Sequence, residues 1–161
     1  MKIKFKIHLV LISLLLLISC SNKEPYPKPI GLINDFEHVF NEEEIIQIDS
    51  VLRNIYDKGK INIFIVTLDS VMLHDKKISN YTMNLGNYWG VGQKNKNNGI
   101  IISFSSYYKK MCIQNGKGIT NILTDSLSSE IIKNEMKPEF INGNYKKGII
   151  NAINKIETYF N

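Results

Sequence analysis

The chain has 161 residues, 20 Lys and Arg against 15 Asp and Glu, a formal charge of +5, and 43% hydrophobic residues. That composition excludes a disordered or collagenous chain, and the length leaves room for one core rather than two. Two cysteines exclude a disulfide-dense scaffold and a four-thiolate zinc site.

Lys2, Lys4 and Lys6 precede an apolar run from Leu9 to Ile18, and Leu17-Ile18-Ser19-Cys20 follows. A charged start, a short apolar stretch and a small residue before the cut describe a signal peptide, and the run is about half the ~20 residues a transmembrane helix needs. The four residues around the cut resemble the bacterial lipobox, in which the cysteine is lipidated and becomes the new N-terminus. Residues 1–19 are therefore expected to be a lipoprotein signal peptide and Cys20 the lipidation site. Removing them takes away three lysines and leaves 17 basic residues against 15 acidic, about +2. With so small a charge and no basic stripe interleaved with aromatics, nucleic acid is not an expected partner. Residues 20–30, with prolines at 25, 27 and 29, read as an extended tether. Ser21, where an Asp would signal retention, favours the outer membrane in a cell with two membranes.

The folded part is expected over residues 31–161. Asn41 can cap a helix, with Glu44 at the capping-box position and acids in the first turn. Ile45, Ile48, Leu52 and Ile55 recur at helical spacing, and Gly59 ends the pattern. Residues 61–68 are a β-branched run covered on both faces. A second helix is expected from Ile78 to Trp89, with Tyr81, Leu85, Tyr88 and Trp89 turned inward. Residues 90–99 form a polar loop, 100–104 a buried strand, and 110–114 its hairpin partner. A helix then runs from Asp125 to about Lys137, stopped by Pro138, and a last one from Tyr145 to Phe160. Helices alternating with buried strands give an α/β class: a single three-layer α-β-α sandwich, Rossmann-like, around a small mixed sheet.

Familiar catalytic patterns are missing. There is no G-x-S-x-G elbow, Arg53 is the single arginine, and His38 and His74 have no carboxylate at ligand spacing. Cys112, between Met111 and Ile113 in a strand, reads as a small buried hydrophobe. Polar residues remain at the strand ends: Asn34-Asp35, Asn97-Asn98 before Gly99, and Thr124-Asp125. In an α/β sheet ligands gather beyond the carboxyl ends of the strands, and two carboxylates with amide oxygens suit a hard divalent cation. The alternative is that Asp35 and Asp125 make turns or caps and Asn97-Asn98-Gly99 a tight turn.

In order along the chain come Ile33-Asn34-Asp35-Phe36, Asn87-Tyr88-Trp89-Gly90-Val91-Gly92 and Lys96-Asn97-Asn98-Gly99-Ile100. Gly116-Lys117-Gly118-Ile119, Leu123-Thr124-Asp125 and Phe140-Ile141-Asn142-Gly143-Asn144-Tyr145 follow. With these segments the chain resembles the TPM domain family over residues 32–160. The resemblance implies an α-β-α sandwich, secreted or membrane-tethered, with divalent-cation binding in a loop cleft and weak acid phosphatase activity in some members. Asp35, Asn98 and Asp125 match its cleft positions as metal ligands, with Asn34, Asn97, Gly99 and Thr124 around them. Asn97 replaces the usual aspartate, Thr120 a common glutamate, and Cys112 a usual arginine. The expected function is an envelope lipoprotein that binds envelope or membrane proteins as a quality-control module, with a cleft for Ca2+ or another divalent cation. The alternative is a low-efficiency, metal-assisted phosphomonoesterase.

Overall fold

A computed structural model describes residues 24–74, 76–92 and 95–161. The signal segment and Cys20 lie outside the described residues.

Four strands form one sheet in the order β1 (Ile33–Asp35), β2 (Asn62–Thr67), β3 (Gly99–Ser105), β4 (Lys110–Asn115). The first three are parallel and β4 is antiparallel to β3. Parallel neighbours need a crossover, and each is helical. α1 (Glu42–Asp57) links β1 to β2; α2 (Ser70–Leu73) and α3 (Ile78–Trp89) link β2 to β3. After β4 come α4 (Asp125–Ile131), a π-turn (Ile132–Met136), α5 (Lys137–Ile141) and α6 (Tyr145–Glu157).

Strand alternation sorts the core into two faces. Ile63, Ile65, Ile100, Ile102 and Phe104 pack with Ile48, Leu52 and Ile55 of α1 and with Ile149, Ile153 and Ile156 of α6. Val66 and Ile101 point the other way, onto Tyr81 and Leu85 of α3. This is the expected three-layer α/β sandwich. Strand order advances 1-2-3 while α1 and α3 cover opposite faces, so the two crossovers are of opposite hand, and one departs from the right-handed rule.

α1 starts as its sequence dictates: the Asn41 side chain accepts from Glu44 N at 2.9 Å, and Glu44 Oε2 accepts from Asn41 N at 3.1 Å. Elsewhere the chain departs from expectation. β1 has three residues, too few to show a period, and α2 is a single turn capped by Asp69. Pro138 does not stop the helix. Lys137 N bonds Ile132 O five residues back, and Pro138 then falls in the first turn of α5, where its missing N–H leaves no bond unmade. Tyr88 is not turned inward: it is 39% exposed, and Thr82 takes the inner position, its hydroxyl 2.5 Å from Ser103 Oγ.

Described tether residues lie on the domain. Tyr26 packs edge-on against Tyr81 at 5.2 Å between ring centroids, and Trp89 Nε1 donates to Pro27 O at 2.7 Å.

Candidate functional site at the glycine edge

The carboxyl ends of β1 and β2 are where an α/β sheet should open, because the chain leaves them toward opposite faces. Between β1 and β2 the opening is filled by the protein's own groups, while beside the end of β3 a concavity of about 430 Å³ is lined by Ser105, Ser106, Lys109, Lys110, Phe140 and Tyr145 among others. Asp35 accepts from Val39 N at 3.2 Å, Phe40 N at 2.9 Å and the Thr67 hydroxyl at 2.8 Å. Glu37 donates its N–H to Thr67 Oγ1 at 2.8 Å, while its carboxylate accepts from Ser105 Oγ at 3.1 Å and Ser106 N at 2.7 Å. Asn34 is fully buried, accepting from Ile30 N at 2.7 Å and donating to Gly31 O at 3.0 Å. Glu37 had no sequence signal, since its partners lie about seventy residues away.

The opposite end of the sheet has a different character. β3 starts at Gly99, with Asn98 just before it, and β4 ends at Asn115, with Gly116-Lys117-Gly118 just after. Gly116 N donates to Gly99 O at 2.8 Å, and Gly118 N to Asn97 O at 3.1 Å. A Cβ on Gly99 would lie 2.4 Å from Val91 O, one on Gly116 2.2 Å from Asn97 O, and one on Gly118 1.8 Å from Lys96 O. Glycine is therefore required by close backbone approach, and the two loops interlock main chain to main chain. The Asn98 side chain is buried and donates to Lys60 O at 2.9 Å. Asn97 holds a positive φ of 48°. Thr124 caps α4 by accepting from Leu127 N at 3.2 Å, and Asp125 follows it, exposed in the first turn.

Two concavities of about 410 Å³ each flank this edge. The first lies between α3 and the β3–β4 ends, lined among others by Met83, Asn87, Val91, Asn97, Gln114 and Lys117. The second is bordered by Gly90, Gly92 and Asn95. Neither lining includes Asp, Glu, His or Cys. Asn62 and Asn115 sit on either side of the start of β3, paired with Gly99 and Ile100, and the buried Oδ1 of each has no hydrogen-bond partner among the described residues. Asn115 Nδ2 is held by Leu123 O and Ser128 Oγ, both at 2.8 Å. A lone asparagine ending an apolar strand gives no pattern by which to find it.

Segments with family character meet at this edge: the loop before β3, the glycine pair after β4, the Thr124 cap and the end of α3. The TPM domain family matches residues 33–159. This chain belongs to it. The TPM domain is similar in structure to the N-terminal domain of a P. gingivalis protein, with 26% identity, a TM-score of 0.71 and 80% of each chain covered. It is also similar to the N-terminal domain of a Corynebacterium glutamicum protein, at 13% identity and a TM-score of 0.63 over 86% of each chain. A protein from the psychrophilic bacterium Bizionia argentinensis matches at 21% identity and 0.55, covering 78% of this chain and 86% of that one. The last two show likeness of fold alone. No curated protein matches the sequence.

The TPM domain brings Asn98 and Asp125 to one end of the sheet and sends Asp35 to the other. β2 runs from Asn62, beside Gly99, to Thr67, beside Asp35. At ~3.3 Å per residue that separates Asp35 from Asn98 by about 17 Å. The three cannot share one ion, which corrects the expected ligand set. Among the described residues no three His, Cys, Asp or Glu side chains gather in a metal-binding group. Of the expected ligands, Asp125 alone brings a carboxylate to the glycine edge. With Asp35 at the other end, the expected ligands leave one carboxylate and one amide, few of the six to eight oxygens that a Ca2+ ion takes.

Cys112, in β4, is buried on the α3 face opposite Ser103. Burial pushes its thiol pKa up, partly offset by the Thr82 and Ser103 hydroxyls.

Proposed function

We propose that this chain is a lipid-anchored envelope protein whose TPM domain binds a protein partner at the glycine edge and catalyses no reaction of its own. The observation that carries the reading is the make-up of that edge. Two interlocked loops hold a concavity lined by amide side chains, a lysine, apolar groups and main chain. Such a surface recognises a peptide by hydrogen bonds and apolar contact, and Lys117 is the one side chain of the lining able to move a proton, with no carboxylate, imidazole or thiol beside it there. Two carboxylates at the other end of the sheet, Asp35 and Glu37, are engaged in holding loops together. The competing reading, metal-assisted phosphatase chemistry through Asp35 and Asp125, is the less favoured, because Asp35 is committed to Val39 N, Phe40 N and the Thr67 hydroxyl.

The anchoring part rests on the sequence around Cys20. No helix among the described residues is long and apolar enough to cross a membrane. The reading is tested by placing a photo-crosslinking side chain at Lys117 in the full lipoprotein, with Ile46 on the far side of the sheet as control. A discrete adduct from Lys117 alone is expected; indistinguishable products from the two positions would overturn the partner reading.

A further inference from the structure

The tether has a surface of its own to lie on. The hydroxyl of Tyr88 donates to the Glu24 carboxylate, Tyr26 sits between Tyr81 and Tyr88 at 5.2 and 5.6 Å, and the Trp89 indole N–H holds Pro27 O. Ile30 N is then fixed by Asn34 Oδ1 at 2.7 Å. Contacts at both ends and in the middle make residues 24–30 a strap that runs from α3 to β1 rather than a free leash.

This docking shortens the reach of the chain. Free, the segment from Cys20 to Gly31 spans up to about 38 Å; with Glu24 held on Tyr88, the distance from Cys20 is at most about 14 Å. A bilayer holding the acyl chains of Cys20 must then lie beside α3. The helix is suited to that. Between Ile78 and Trp89 there is no Asp, Glu, Lys or Arg, whereas α1 carries Glu42, Glu43, Glu44, Asp49, Arg53 and Asp57. Its exposed positions are Ser79, Asn80, Met83, Asn84, Asn87 and Tyr88. Neutral polar and aromatic groups meet a headgroup layer at low desolvation cost, and exposed Lys28, Lys76 and Lys77 outnumber the exposed Glu24 held by Tyr88, which favours anionic lipid.

We infer that the strap clamps the outer face of α3 against the lipid headgroups, so that the domain rests on the membrane in one orientation with α1 and α6 facing away. The inference rests on the reading of Cys20 as the lipid anchor. It places the concavity bordered by Met83 and Asn87 at the bilayer surface, where a membrane-embedded partner presents its juxtamembrane segment.

The test uses the full lipidated protein in a Cys112→Ser background, reconstituted into phosphatidylcholine–phosphatidylglycerol vesicles with a headgroup-attached energy acceptor. A donor dye is placed through Asn80→Cys on α3 or Ile46→Cys on α1, sites separated by the thickness of a helix–sheet–helix sandwich, roughly 20 Å. Energy transfer several-fold stronger from position 80 than from 46 is expected. Tyr26→Ala should bring the two close to equal, and Trp89→Phe, which keeps the ring on Phe64 but removes the N–H, should move them the same way. Equal transfer in protein that floats with the vesicles overturns the strap alone, as does a difference that survives both substitutions. Protein that fails to float overturns the anchor and the strap together.

Discussion

Asp35 shows how a residue type that suits one chemistry can serve another. Its carboxylate takes two main-chain N–H groups and a hydroxyl, and so pins the turn after β1 to the end of β2. Hydrogen bonds to a charged acceptor contribute more than neutral ones, and removal would strand donors in a half-buried place. Asp35→Ala should therefore destabilise the domain by about 2–3 kcal/mol in urea unfolding, while Asp125→Ala, exposed in the first turn of α4, should change it by about 0.5 kcal/mol or less. Equal effects at the two positions would mean that Asp35 is not structural. Cys112 belongs to the same scale. Its raised pKa means that the folded state keeps the thiol proton longer than the unfolded chain does. Its contribution to stability is complete below the unfolded thiol's titration and is lost as pH rises through the folded value. A thiol reagent at pH 8 should leave Cys112 of the native protein unmodified and react once it is unfolded; rapid native reaction would contradict its burial.

Among the elements, those with a strong period or a cap were legible in the sequence. α1 announced itself by Asn41, Glu44 and its apolar spacing, and α3 begins and ends at Ile78 and Trp89 as read. β1 and α2 escaped because three or four residues carry no period and are held by tertiary bonds. Pro138 lies in the first turn of α5 because the π-turn before it changes the bonding frame, which no local rule for proline encodes. Pro138→Ala should be neutral or cost up to about 1 kcal/mol through unfolded-state entropy; a gain of about 3 kcal/mol would show that the proline strains a continuous helix. The candidate site was half legible. Asn97, Asn98, Gly99, Thr124 and Asp125 do gather at one end, but nothing local to Asp35 says which end of the sheet it occupies. Gly118→Ala tests the loop interlock, since its Cβ would meet Lys96 O at 1.8 Å. A loss of about 3 kcal/mol is expected, and a folded, fully stable variant would mean the loops do not interlock.

For the whole molecule, the sandwich separates two tasks between the ends of its sheet. At one end Asp35, Glu37, Thr67 and Ser105 tie the loops to one another; the other is built of glycine main chain and amide side chains around a hollow. Strap and anchor would hold that hollow against the membrane, where a small domain of modest charge gains by restricted geometry what it lacks in surface area. The measurement closest to this account is site-directed photo-crosslinking in intact cells from Lys117, with and without Gly118→Ala, and from Ile46. One discrete adduct is expected from Lys117, lost in Gly118→Ala and missing from Ile46. The same products from all three proteins would contradict it.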